Sequence, residues 1–86
     1  MIRMDTNDPT RAAIASEIRA WRGRRGMSQS ELIKASGLSR STIGRIENCE
    51  KDVDIPQLRA IAAALNVDWL RILTDAQAAL DAGDQF

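Results

Sequence analysis

The sequence predicts an all-α fold, on three observations. Apolar residues recur three and four positions apart, and no β-branched run alternates with polar residues in the manner of a strand. Gly, Ser and Asp punctuate the chain at short intervals, where helices would start or stop. One stretch, Ser28-Gln29-Ser30-Glu31, spells a complete capping box.

Five helices follow in order. Asp8 is a fitting N-cap with Pro9 at the first helical position, where its missing N–H costs nothing. Ile14, Ile18 and Trp21 mark one face of that first helix, and Gly26 stops it. The capping box at Ser28 starts a second helix that runs to about Ser36. Gly37 supplies the left-handed backbone of a tight turn. Ser39 caps a third helix, with Ile43 and Ile46 facing inward and Arg40, Ser41, Gly44 and Arg45 outward. Asp54 caps a fourth, whose Leu58, Ile61 and Leu65 form an apolar stripe, and Asp68 caps a fifth. Two helices of about eight residues joined by a glycine-containing turn are the sequence image of a helix-turn-helix.

Composition bounds the rest. At 86 residues there is room for one domain and one modest core. Hydrophobic residues at 44% and charged ones at 28% fit an ordinary globular chain, so disorder is not expected. The only aromatic residues are Trp21, Trp69 and Phe86. No apolar run approaches the roughly 20 residues that span a membrane, and the N-terminus lacks a secretory signal. The single cysteine, Cys49, can form neither an internal disulfide nor a metal cluster, which points to a reducing cytoplasm and an inert thiol. With no histidine, no glycine-rich phosphate loop and no nucleophile–base spacing, catalysis, cofactors and metals are not expected.

Net charge is zero, yet the charge is polarised. Residues 11–45 hold eight basic side chains against Glu17 and Glu31, while residues 46–86 hold eight acidic ones against Lys51, Arg59 and Arg71. A chain built this way can present a basic face to phosphates. Arg40 and Arg45 are the candidates for reading bases, because arginine bonds bidentately to guanine O6 and N7 in the major groove. Ser41 suits a base or a phosphate; Ser39 and Thr42 suit a phosphate contact or a cap, with the cap first for Ser39. Gly44 costs about 1 kcal/mol against alanine in a helix. Either a bare backbone lets the helix approach a thymine methyl or a neighbouring base, or a small residue is simply tolerated on a surface.

The run Ile14, Ile18, Arg22, then Gly26-Met27-Ser28-Gln29, Glu31-Leu32, Gly37-Leu38-Ser39, Ile43, Ile46-Glu47-Asn48, and Ile61-Ala62 with Leu65 resembles the lambda-repressor-like helix-turn-helix family, of Cro/cI or Xre type. The match extends without a gap from about Ile14 to Leu73. The resemblance implies a compact five-helix DNA-binding domain over residues 9–73, with helices 2 and 3 as the motif. Residues 74–86 then form a helical extension or tail, a candidate dimer contact through Ala76, Ala79, Leu80 and Phe86, with Leu70 and Leu73 taken by the core. It also implies that Gln29 and Asn48 hold backbone phosphates, and that Arg22 pairs with Glu47 to tie helix 1 to helix 3. Three departures stand out. Ile33 replaces a small alanine where the helices cross, which would push them apart or shift their angle. Cys49 replaces a glycine, which would strain a left-handed turn. Glu50, Asp52 and Asp54 acidify a loop where relatives are often basic, and so would trim its phosphate contacts.

The implied function is a sequence-specific transcriptional regulator. It would be a repressor that occupies a near-palindromic operator in double-stranded DNA as a cytoplasmic homodimer. One alternative is an antitoxin that masks a toxin partner while repressing its own operon. Another is a protein-interaction module that has lost DNA binding.

Overall fold

Local capping sets the helices of the computed structural model, which describes residues 8–84. They are α1 (Thr10–Arg24), α2 (Gln29–Ser36), α3 (Arg40–Glu47), α4 (Ile55–Leu65) and α5 (Trp69–Asp81), with no strand among the described residues. The Ser28 hydroxyl accepts the Glu31 N–H, and the Glu31 carboxylate accepts the Ser28 N–H, which closes the capping box at the start of α2. The Ser28 N–H, and after it the Ser28 hydroxyl, hold the Glu31 carboxyl below its ordinary range. Ser39 and Asp68 cap α3 and α5 as expected, and Asp54 forms a reciprocal box with Gln57 at the start of α4. The start of α1 is shifted by one residue. Pro9 sits at the cap position rather than inside the helix, and Asp8 accepts from both the N–H and the hydroxyl of Thr10.

Gly37 adopts the left-handed backbone of the turn between α2 and α3, with φ 74°. Cys49 adopts the same conformation after α3, with φ 62°, as the departure at that position anticipates. There the Cys49 N–H bonds the Ile46 carbonyl and the Glu50 N–H bonds the Arg45 carbonyl. This pattern normally uses glycine at the left-handed position.

Every helix contributes a fully buried aliphatic side chain: Ile18 from α1, Leu32 from α2, Ile43 and Ile46 from α3, Leu58, Ile61 and Leu65 from α4, and Ile72 from α5. Each is worth about 1.5–3 kcal/mol on leaving water. α1 packs along α5, α2 along α4, and α3 sits against α1 and α2. Ile33 lies partly buried at the edge of the core, and α2 and α3 remain in contact despite its bulk.

The fifth helix departs from the sequence reading. Leu70, assigned there to the core, is 52% exposed, while Ile72 and Ala76 are buried. Residues four apart share a helical face, so seating Ile72 and Ala76 inward turns Leu70 to solvent. Ala76 is therefore core and cannot belong to an exposed dimer stripe. Ala79 and Leu80 are partly buried, and α5 runs unbroken past residue 74 to Asp81. Phe86, proposed as part of that stripe, lies outside the described residues.

Candidate nucleic-acid interface

Burial of Ile43, Ile46 and Glu47 fixes the rotation of α3. Arg40, Ser41, Arg45 and Asn48 are consequently exposed and Gly44 half-buried, and this spacing places all five on the side opposite the core. Ser39 and Thr42 are occupied at the helix start. The Ser39 hydroxyl accepts the Thr42 N–H at 3.0 Å and donates to the Thr42 hydroxyl at 2.9 Å. Arg40 extends toward α2, its Nη2 3.5 Å from the hydroxyl of Ser30. Ser30 escaped the sequence reading; its place in the first turn of the neighbouring helix was the available signal.

A buried carboxylate holds α3 to the rest of the molecule. Glu47 is 3% exposed and is the only buried charged residue among the described ones. Arg22 from α1 grips it with two bonds, Nε to Oε2 at 2.9 Å and Nη2 to Oε1 at 3.1 Å, as the resemblance implies. The remaining terminal nitrogen of Arg22 donates to the Met27 carbonyl at 3.1 Å, in the turn before α2. Gln29 joins the same cluster, its Nε2 donating to Glu47 Oε1 at 2.9 Å. A carboxylate only accepts, so this contact orients the carboxamide nitrogen toward Glu47 and leaves its second N–H to project elsewhere. Arg19 donates to the main-chain carbonyl of Glu47, where a cation also complements the C-terminal end of the helix dipole. Three elements, α1, α2 and α3, thus meet at one desolvated charge whose bonding is satisfied.

The basic half of the sequence is less free than its residue count implies. Arg22 is paired with Glu47, and Arg11 donates to Asp52 at 2.7 Å across the loop after α3. Arg25 donates to the carbonyls of Leu65 and Asn66 at the end of α4. Arg24, Arg25 and Arg71 lie over the Trp21 ring, at 4.7, 5.2 and 5.6 Å from its centroid. The acidic loop is similarly engaged. Asp54 is the α4 cap, Asp52 is paired with Arg11, and Lys51 donates to Gln57 and to the Asp52 carbonyl. Of the three loop acids only Glu50 is left as an exposed side chain without one of these duties. The guanidinium of Arg11 holds the Asp52 carboxyl below its usual range, and Asp52 in turn raises Arg11.

The structure therefore brings Gln29, Arg22 and Glu47 together beneath α3, and sets Arg40, Ser41, Gly44, Arg45 and Asn48 on its open face. A helix-turn-helix family model matches residues 18–72. Control protein C.SmaI of Serratia marcescens is 36% identical over 61 residues, which cover 71% of this chain and 73% of that protein. Among solved structures, the clp gene regulator ClgR from Corynebacterium glutamicum superposes with a TM-score of 0.77 at 28% identity, covering 86% of this chain and 81% of that one. The restriction-modification controller protein C.AhdI from Aeromonas hydrophila gives 0.69 at 27% identity, over 72% and 94% of the two chains.

Proposed function

From a chain that belongs to the helix-turn-helix family, in its lambda-repressor-like Xre branch, we propose a regulator that reads its operator with the open face of α3. The protein is a sequence-specific DNA-binding transcription regulator. The observation that carries the proposal is the Glu47 cluster. It fixes an eight-residue helix against α1 and α2 while leaving Arg40 and Arg45 exposed. A reader held this way loses little freedom on docking, so its side chains meet base edges already oriented.

In this reading Arg40 and Arg45 contact bases, and Ser41 a base or a phosphate. Gln29, through its second amide N–H, and Asn48 hold the backbone on either side. Ser39 and Thr42 chiefly cap α3. Regulation is repression by occupancy of a promoter operator. The likeness to the restriction-modification controller protein C.AhdI favours a second assignment of the target, in which the regulated genes encode a restriction–modification pair. Those likenesses, like the one to ClgR, are to regulators of genes, and none favours the toxin-masking alternative.

Reading few base pairs per helix requires two copies for a useful site. We place the contact at the start of α5, around the half-exposed Leu70, in place of the distal stripe whose Ala76 is buried. Selection of bound sites from random DNA tests the reading. The expected product is one motif repeated in inverted orientation, its halves about 34 Å apart. Recovery of no enriched sequence would end it, and mapping the motif to the source genome separates the two assignments of the target.

A further inference from the structure

Gly44 lies at the centre of the open face of α3, one turn from both Arg40 and Asn48 and next to Arg45. A glycine inside a helix is unfavourable, and the fold gives it no compensation. Its φ is not positive, and a Cβ built on it would meet nothing within 4 Å. No neighbouring helix needs the space, and no turn needs the backbone freedom. What remains is the face that Gly44 presents outward.

We infer that Gly44 is a specificity-determining residue, and that the gap it leaves between Arg40 and Arg45 receives the C5-methyl group of a pyrimidine. The inference rests on the proposed DNA-reading role of α3. A side chain at position 44 would stand between the helix axis and the base edges, whereas glycine exposes a shallow floor of backbone and α-carbon. The methyl group is the apolar feature that the major groove displays, and small apolar surfaces are what recognise it. In this reading the exposed side chains of Arg40 and Arg45 bond the purines beside it and so fix the methyl over the gap, Arg40 leaving its contact with Ser30 to do so. Thymine and 5-methylcytosine carry the same group, and the site as built does not distinguish them.

The test begins with the site that the wild-type protein selects. In synthetic duplexes each thymine of one half-site is replaced in turn by uracil, which removes only the methyl group, and each cytosine by 5-methylcytosine, which adds one. Wild-type binding should fall about fourfold at one uracil position, the worth of one buried methyl, or rise by a similar factor at one methylated cytosine. The first result identifies thymine and the second 5-methylcytosine. Gly44→Ala should lose affinity for the selected site by about tenfold and lose the methyl dependence, while its melting temperature rises by about 4–8 °C. That rise separates a local clash with DNA from a folding defect. Wild-type indifference to every methyl change, or a Gly44→Ala protein that keeps both the affinity and the methyl dependence, overturns the inference. If the wild-type protein selects no motif, the DNA-reading role fails first and the inference falls with it.

Discussion

Arg40 and Arg45 project from one side of α3, and among the described residues only the Ser30 hydroxyl, at 3.5 Å, hydrogen-bonds either guanidinium. Replacing either by alanine should cost about 1–3 kcal/mol at the cognate site, with little change in melting temperature. Gln29→Ala should behave differently, because the carboxamide is bonded to Glu47. It should weaken binding to all sequences alike and also lower stability, which parallel titrations and thermal melts will resolve. Cys49 offers a test in the opposite direction. With φ 62° on a non-glycine residue, Cys49→Gly should raise stability by up to about 1 kcal/mol, measured by denaturant unfolding. A loss of stability there would mean that the side chain contributes more than the backbone conformation costs.

Among the elements, α3 depends on the charge beneath it. Removing one partner of a buried ion pair costs about 3–5 kcal/mol because the other is stranded. Glu47→Ala should approach that range, since it leaves Arg22, Gln29 and a nearly dry pocket without their acceptor. An unchanged melting temperature would contradict the picture of a buried anchor. The fifth helix also carries a test. Ending the chain at Thr74 deletes the buried Ala76 and the last two turns of α5, so the truncated protein should be less stable whatever its oligomeric state. A cleaner probe of pairing is Leu70→Glu, which puts a charge on a half-exposed side chain outside the core. Sedimentation should show it monomeric at concentrations where the parent is dimeric, with its melting temperature little changed at concentrations where both are monomeric.

The helices were legible in the sequence because their caps are local. Ser28 with Glu31, Ser39, Asp54 with Gln57 and Asp68 each satisfy N–H groups two or three residues away. The pairing of Arg22 with Glu47 was legible only through the family resemblance. The bonds made by Arg19 and Arg25 were not legible at all, because their partners are main-chain carbonyls 28 and 40 residues away, which no side-chain pattern announces. The rotation of α5 was misread for a different reason. Trp69, Leu70, Ile72, Leu73 and Ala76 surround most of the helix, so apolar spacing alone does not select the buried face.

For the molecule as a whole, acid should loosen the fold at defined points. Glu31 and Asp52 have carboxyl groups held below their ordinary values by the Ser28 cap and by Arg11. A depressed folded value stabilises the protein above the unfolded value and is lost as pH falls through the folded one. Stability should therefore be level near neutrality and decline from about pH 4.5 downward, where the unfolded carboxyls begin to take up protons. These groups are exposed, so the decline should be shallow and weaken further in high salt. The central claim is that the open face of α3 selects DNA by base identity. It is tested most directly by site selection from random DNA run in parallel with the wild-type, Arg40→Ala and Arg45→Ala proteins at one salt concentration. The expected result is an inverted repeat for the wild type, with preference relaxed at one base position per half-site in each variant. Recovery of the wild-type motif, unchanged, by both variants would show that these arginines do not read the sequence.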